Sequence, residues 1–142
     1  MHVHLIARLS GMFAIIFSLS LCFPLLVAIW YREVELGHFV MPMIGGLSIG
    51  AMLWVSGHHS DNRVSNRDGF LIVAIFWVLL SALGAWPFLI STELSFIDAI
   101  FESTSGITTT GATVITGLDE MPKSILFYRQ QLQWLGGMGL IV

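Results

Sequence analysis

Three long runs without a charged residue constrain this chain more than any other feature of its sequence. The runs are Leu9–Tyr31, Leu36–Ser60 and Gly69–Thr92, with 23, 25 and 24 residues. As helices they would each be about 35 Å long, compared with about 30 Å for the hydrocarbon core of a bilayer. The alternating polarity of a transmembrane β-barrel is absent from the sequence. The chain is therefore predicted to be an all-α integral membrane protein.

Composition agrees with a membrane protein and excludes several other classes. Charged residues make up 11% of the 142 positions and hydrophobic residues 56%, whereas soluble domains carry about 25% charged residues. A net charge of −3 with six Lys and Arg is unsuited to nucleic acid, which binds basic surfaces. The single cysteine, Cys22, excludes a disulfide framework and a metal site built from several cysteines. A lipid bilayer is the predicted surroundings, and no nucleic-acid partner is expected.

The first two runs are predicted to form a pair of transmembrane helices. The first run is longer than the apolar core of a signal peptide and ends in Trp30–Tyr31, an aromatic pair typical of a membrane interface. It is therefore predicted to be a retained helix. In the second run, Gly46 and Gly50 have the GxxxG spacing that lets a neighbouring helix approach closely, although glycine is common in membrane helices in any case. His58 and His59, which follow, are predicted to be a solvated pair in a loop.

The segment after the third run differs in character from all three. Ser95 and Asp98 have the S-x-x-D spacing of a capping box, and apolar residues at helical spacing follow. This pattern predicts a helix of about ten residues beginning at Ser95, which is too short to cross a bilayer. Ser103–Leu118 then has sixteen uncharged residues, of which eight are Ser or Thr and three are Gly. This stretch is too polar for a membrane span and too free of charge for an ordinary loop.

A short helix followed by a Thr/Gly stretch between two spans predicts a re-entrant pore loop. Non-helical backbone at membrane depth is tolerated only inside protein or beside a water-filled path. The C-terminal end of the short helix carries the negative end of its dipole, and carbonyl oxygens of an extended segment can replace the water shell of an ion. Gly111 permits backbone angles that other residues avoid, so its carbonyl and that of Thr110 are predicted to face a cation.

Three other interpretations apply to the same residues. The nucleotide-binding G-x-x-x-x-G-K-[ST] loop fits the spacing of Gly106 and Gly111, but Ala112 stands where that loop needs lysine. No nucleotide and no organic cofactor is therefore expected. An intramembrane enzyme would need a base beside the threonines, and residues 60–142 contain no histidine, so the chain is predicted not to be an enzyme. The alternative function is a non-conducting membrane scaffold or subunit, in which the Thr/Gly stretch is a structural linker.

Several strings of this sequence resemble a known family. They are DGFLIV at 68–73, FESTSGITTTGAT at 101–113, LFYR at 126–129 and WLGGMG at 134–139. The chain resembles the Trk/Ktr/HKT superfamily of potassium-uptake proteins, and within it the bacterial Trk-type subunits, over essentially its whole length. The string SGITTTGAT is the specific part of the resemblance, because apolar helices alone occur in many membrane proteins.

The resemblance implies a fold of four successive helix–pore-loop–helix units, similar to a potassium channel, around one pore. Residues 1–60 would form an extra N-terminal pair of transmembrane helices, and 61–142 would form the first unit. Within that unit the resemblance implies an outer helix at 69–90, a pore helix at 95–105, a filter at 108–113 and the start of an inner helix at 124–142.

The resemblance also implies which residues contact the ion and which partners assemble. The selectivity filter would comprise Thr108, Thr109, Thr110, Gly111 and Ala112, with potassium bound at Thr109 and Thr110. Relatives with serine at the filter glycine favour sodium, so Gly111 implies a preference for potassium as the transported ion. Further implications are a multi-pass location in the bacterial inner membrane with a cytoplasmic N-terminus, a homodimer, and a cytosolic nucleotide-binding regulatory ring protein.

The chain departs from the resemblance in its length. It contains one pore loop where the superfamily has four, so the remaining three pore units would have to come from a full-length chain. Gln130–Val142 has thirteen charge-free residues, or about 20 Å of helix, so the last helix is predicted to be truncated. A fragment is the simpler explanation, and assembly of four copies is the other.

Positive charges leave the orientation of the chain open. With the N-terminus inside, three cations lie on each side of the membrane, so the positive-inside rule gives a tie. The inner three are Arg8, Arg63 and Arg67, and the outer three are Arg32, Lys123 and Arg129.

Overall fold

The chain is all-helical in the computed structural model, which describes residues 3–33, 36–57, 66–92 and 94–139. Its elements in chain order are α1 (Val3–Ser20), α2 (Cys22–Trp30), α3 (Gly37–Ser56), α4 (Asn66–Ser91), α5 (Phe96–Ile107), a 3₁₀ turn (Leu118–Glu120) and α6 (Lys123–Gly139). The predicted loop pair His58 and His59 lies outside the described residues, and so do the last three residues of the predicted inner helix.

Three segments of the described chain are long and apolar enough to cross a membrane. They are His4–Trp30, Gly37–Ser56 and Gly69–Ser91. Large apolar side chains such as Phe70 and Val78 are exposed on them, as expected where lipid surrounds a helix. The prediction of an all-α chain with three membrane-length segments is confirmed. The first helix begins at Val3 rather than Leu9, because Arg8 ends an apolar run without interrupting the backbone hydrogen bonds of a helix.

The backbone hydrogen-bond pattern of the first span is interrupted where α1 meets α2. Pro24 has no backbone N–H, so it cannot donate to the carbonyl of Ser20 four residues earlier. The turn also tightens at this point, because the N–H of Leu21 donates to the carbonyl of Ser18 at 3.2 Å. The carbonyl of Phe17, which that N–H would otherwise reach, instead accepts from the Ser20 hydroxyl at 2.6 Å. The Ser20 carbonyl is left for a donor from another helix.

Helices α1 and α3 pack closely through their glycines. A Cβ added at Gly50 would lie 3.0 Å from the carbonyl oxygen of Gly11 and 2.7 Å from Cγ1 of Ile15. A Cβ at Gly46 would overlap the hydroxyl of Ser18. Larger side chains would push the two helices apart, so the GxxxG spacing serves close helix approach. This finding decides between the two interpretations of that spacing.

Helix α5 is held between α4 and α6. Tyr128 of α6 is fully buried, and its ring centroid lies 5.7 Å from that of Phe39 and 5.2 Å from that of Phe88. The Tyr128 hydroxyl donates to the carbonyl of Gly84 in α4 at 2.8 Å. A Cβ at Gly84 would overlap the hydroxyl of Ser103 in α5. Helices α4 and α6 are therefore joined directly, and α5 lies close against α4 at a glycine.

Candidate functional site

Helix α5 is a short helix with a capped N-terminus. The Ser95 hydroxyl accepts a hydrogen bond from the N–H of Asp98 at 3.2 Å and donates to Asp98 Oδ2 at 2.7 Å. The predicted cap is confirmed, although the Asp98 carboxylate contacts the hydroxyl instead of the Ser95 backbone. The twelve residues of α5 span about 18 Å, so this helix cannot cross about 30 Å of hydrocarbon.

The C-terminus of α5 is closed by a turn that puts a threonine in the left-handed region. The N–H of Thr109 donates to the carbonyl of Gly106, and that of Thr110 to the carbonyl of Ser105, each at 3.0 Å. These are the paired bonds of a Schellman motif. The motif needs a left-handed residue, usually glycine, and here Thr109 fills that position with a φ of 57°. A β-branched residue in this region costs about 1–3 kcal/mol, so the backbone is held here at a cost to stability.

The Thr/Gly segment, defined as residues 108–113, leaves this turn as irregular, exposed chain. Gly111 is also left-handed, with a φ of 77°, which is the conformational freedom that the sequence predicted for it. The carbonyl oxygens of Thr109, Thr110 and Gly111 accept no hydrogen bond from the part of the chain that the structure describes. Three consecutive carbonyl groups beside the end of a helix are therefore available to a ligand.

Threonine hydroxyls connect the start of the segment to α5. Thr108 Oγ1 donates to the carbonyl of Thr104 at 2.7 Å. It also lies 2.8 Å from Thr110 Oγ1, at hydrogen-bonding distance. The structure thus brings the Thr108 and Thr110 side chains together and anchors both to the last turn of the helix.

Ala112 has its carbonyl turned towards α5. The Ser105 hydroxyl donates to that carbonyl oxygen at 2.6 Å, because Ser105 lies in the last turns of α5 and faces the returning chain. That Ala112 belongs to the selectivity filter stays a prediction. Its carbonyl supports the segment from behind, whereas the three preceding carbonyls have no such partner.

A buried carboxylate holds the far end of the Thr/Gly segment. Glu102 of α5 is only 3% exposed. Its two oxygens lie 3.0 and 2.9 Å from the Thr113 hydroxyl, which donates to them, and Oε2 also accepts from the N–H of Val114 at 3.1 Å. Thr113 Oγ1 in turn accepts from the N–H of Ile115 at 3.1 Å. One side chain therefore fixes both the hydroxyl and the backbone where the segment ends.

The positive partner of this carboxylate is Arg129 of α6. Arg129 Nε donates to Glu102 Oε1 at 2.7 Å, and the Arg129 side chain is 12% exposed. The pair joins α5, the Thr/Gly segment and α6 at one point. The orientation count treated Arg129 as one of three cations outside the membrane, and the structure shows that its guanidinium is paired with Glu102.

Sequence reasoning missed Glu102, Arg129 and Ser105, although the two charges carried a signal. Glu102 is the only charged residue between Asp98 and Asp119, and no charged residue other than Arg129 follows Lys123. An isolated ionisable residue in a membrane-type sequence indicates a functional group with a buried partner. Ser105 carried no such signal, because it is one of many hydroxyl residues in the same stretch.

Helix α6 lies directly against the end of α5. A Cβ at Gly136 would overlap the carbonyl of Ile107, the last residue of α5. A Cβ at the adjacent Gly137 would have only ordinary contact, with Thr109 Cγ2 at 3.7 Å. The backbone of α6 therefore packs directly against the Schellman turn.

The available ligands of this site are neutral oxygens. No group of three or more His, Cys, Asp or Glu in the described ranges is arranged to hold a metal ion. Carbonyl and hydroxyl oxygens beside the negative end of a helix dipole suit a cation that must bind and then leave. The geometry can therefore replace part of the water shell of an alkali cation.

Comparison with known proteins identifies the family. The profile of the family described as TrkH, cation transport protein, matches residues 37–142. The Trk system potassium uptake protein TrkH of Escherichia coli K12 is 47% identical over 144 residues, a match that covers 100% of this chain and 30% of that protein. The E. coli K12 potassium uptake protein TrkG is 41% identical over 143 residues, covering 99% of this chain and 30% of that protein.

A solved structure agrees with the sequence comparison. The crystal structure of the potassium transporter TrkH from Vibrio parahaemolyticus matches with a TM-score of 0.94 and 48% identity, covering 99% of this chain and 31% of that one. The chain spans about 30% of the length of these relatives. Since the family profile covers most of the chain and the fold agrees throughout, the resemblance is confirmed, and the chain belongs to the TrkH family of cation transport proteins.

Proposed function

We propose that this chain supplies the first quarter of the pore of a potassium-uptake transporter. Residues 1–60 form the extra N-terminal helix pair, and 61–142 form the first helix–pore-loop–helix unit. In that unit α4 is the outer helix, α5 the pore helix, the Thr/Gly segment the filter, and α6 the beginning of the inner helix. The other three units follow in a longer chain, called the complete transporter below. The names of the relatives, which are potassium uptake proteins, support this assignment.

The observation that carries the proposal is the row of three free carbonyls at Thr109, Thr110 and Gly111. They follow the C-terminus of α5, where the helix dipole is negative. Dehydrating a cation requires fixed oxygens in place of water, and the bonds from Ser105 and Glu102 hold the backbone behind these carbonyls. In the complete transporter this row is one quarter of a ring of oxygens around a potassium ion.

The ion pair supports one orientation in the membrane. With Arg129 enclosed by Glu102, it no longer counts as a loop cation, and the tie becomes three cations on the N-terminal side against two on the other. The positive-inside rule then favours a cytoplasmic N-terminus, with the Thr/Gly segment reached from the opposite side. The proposed location is the bacterial inner membrane.

The proposed partners are those of the family resemblance. They are the lipid bilayer, the remaining three pore units, a second copy in a homodimer and a cytosolic nucleotide-binding ring protein. The transported potassium ion is the ligand, and the proposal needs no organic cofactor and no enzymatic step.

Two glycines give a matched test of the filter. Gly111 and Gly117 have φ values of 77° and 72°, and a Cβ at either would meet nothing within 4 Å. A left-handed serine costs about 1–2 kcal/mol at either position, but only Gly111 lies beside the free carbonyls. We expect Gly111→Ser to lower the potassium-over-sodium uptake ratio of the complete transporter about tenfold, since about 1.4 kcal/mol corresponds to that factor. Gly117→Ser should leave the ratio unchanged, and equal ratios in the two variants would refute the filter assignment.

Cysteine accessibility distinguishes a pore from a non-conducting scaffold. Cysteines introduced one at a time over residues 108–113 of the complete transporter are treated with a small water-soluble thiol reagent, with and without potassium. A filter predicts that potassium slows modification, because the ion occupies the same space. A scaffold loop would react at the same rate under both conditions.

A further inference from the structure

We propose that the first span positions the inner helix α6, with Gln131 and Glu33 as the positioning residues. The proposal rests on the proposed function, because it concerns how α6 is held against the turn that precedes the filter. It assigns a role to the N-terminal helix pair, which carries no filter residues of its own. Two polar contacts, one near each end of α2, are the observations behind it.

The first contact lies where α1 meets α2. The Ser20 carbonyl has no donor within its own helix, because Pro24 lacks a backbone N–H. An unpaired carbonyl inside a membrane is costly in free energy. Gln131 Nε2 of α6 donates to this carbonyl at 2.8 Å. Gln131 is 7% exposed, and its Oε1 has no donor in the described part of the chain. Burying half an amide without a partner is unfavourable, so packing alone does not account for a glutamine here.

The second contact lies just after α2. Both oxygens of Glu33 are engaged by Ser124 at the start of α6. The Ser124 N–H donates to Oε1 at 3.1 Å, and its hydroxyl donates to Oε2 in a short hydrogen bond. The first N–H groups of a helix have no partner within it, and a carboxylate complements the positive end of the dipole. Glu33 therefore acts as a cap for α6 that comes from a distant part of the chain.

The two contacts lie on one face of α6. Ser124 and Gln131 are seven residues apart, which is about two helical turns. Five residues beyond Gln131 is Gly136, whose backbone touches the carbonyl of Ile107. Any shift of α6 along or away from α2 is therefore transmitted to the turn that starts the Thr/Gly segment. The first span therefore holds α6 in place against that turn, a role that we call the brace.

A rescue experiment separates positioning from simple carbonyl satisfaction. Gln131→Leu removes the donor in the complete transporter. Adding Pro24→Ala restores a backbone N–H that can bond the Ser20 carbonyl within the helix, but that bond does not reach α6. Gln130→Leu, at the exposed neighbouring position, is the control. Spin labels at Leu26 and Met138, both exposed, report the distance between α2 and α6 in a background without native cysteines.

We expect Gln131→Leu to shift or broaden the label distance and to change the potassium-over-sodium uptake ratio about threefold to tenfold, the range of one interhelical hydrogen bond in a membrane. Adding Pro24→Ala should restore the melting temperature that Gln131→Leu lowers. It should restore neither the distance between the spin labels nor the potassium-over-sodium uptake ratio. Recovery of all three would overturn the proposal, because Gln131 would then only satisfy a carbonyl. An unchanged label distance in Gln131→Leu would also overturn it.

A second variant covers the case in which Gln131→Leu does not fold. Glu33→Gln keeps the side-chain length and weakens the cap of α6, so it should change the same label distance, and no change would refute the brace. The Gly111 and Gly117 comparison distinguishes this failure from failure of the proposed function. If Gly111→Ser and Gly117→Ser give equal uptake ratios while the label distance changes in Glu33→Gln, the filter assignment is refuted and the positioning of α6 is supported.

Discussion

The ion pair between Glu102 and Arg129 makes a quantitative prediction. In Glu102→Gln, an amide with one acceptor oxygen replaces a carboxylate with two, and the Arg129 guanidinium loses its counter-charge. The Arg129 side chain is only 12% exposed, so water replaces little of the lost interaction. The contacts to Thr113 and Val114 weaken at the same time, because they shared the carboxylate.

The magnitudes follow from burial and from the remaining partners. Removing one member of a buried ion pair lowers the free energy of unfolding by about 3–5 kcal/mol. We expect the loss in Glu102→Gln to fall in that range. Arg129→Gln should cost less, because Glu102 keeps the donors Thr113 and Val114, and a hydrogen bond to a charged group is worth about 1.5–3 kcal/mol. The double variant leaves no unpaired charge, so its cost should fall below the sum of the two single costs by about 1–3 kcal/mol.

The assay is unfolding of the complete transporter in mixed micelles by titration with a denaturing detergent, followed by tryptophan fluorescence. Glu120→Gln and Lys123→Gln are matched controls, since both residues are exposed and surface substitutions change stability by about 0.5 kcal/mol or less. Single-variant costs that add within about 0.5 kcal/mol would show that the two charges are not coupled. A cost for Glu102→Gln no larger than that of Glu120→Gln would refute the structural reasoning altogether.

Two further pairs of variants test the support of the Thr/Gly segment. Gly136→Ala should lower the free energy of unfolding by at least about 1–3 kcal/mol, because its methyl group must overlap the carbonyl of Ile107. Gly137→Ala should keep or raise the melting temperature, since alanine is favoured over glycine in helices by about 1 kcal/mol. Ser105→Ala releases the Ala112 carbonyl, so it should lower both the melting temperature, by loss of about 1 kcal/mol, and the potassium-over-sodium uptake ratio. Ser48→Ala, which removes a similar hydroxyl bond at an exposed helical position, should change neither; equal effects of the two serine variants would contradict the role of the Ala112 contact.

Much of the fold could be predicted from the sequence because the bilayer imposes a length and a polarity on every span. The charge-free run at 69–92 predicted a membrane-length helix, which the structure shows as α4 (Asn66–Ser91), and the S-x-x-D spacing predicted the cap of α5 at Ser95. The left-handed conformation of Gly111 was also predictable, because few residues other than glycine adopt it readily. Thr109 was not, since a β-branched residue in that region goes against local preference and is imposed by the turn around it.

The sequence by itself determined the class of protein, the three spans, the short capped helix and the uncharged stretch that follows it. These properties depend on the local run of apolar, charged and hydroxyl residues, and such runs are visible without a structure. Only the tertiary structure decided which partners complete the site. Glu102 and Arg129 are 27 residues apart, and Ser20 and Gln131 are 111 apart. Whether a carboxylate, a guanidinium or a freed carbonyl finds its partner depends on which helix faces meet, and burial then makes that pairing obligatory.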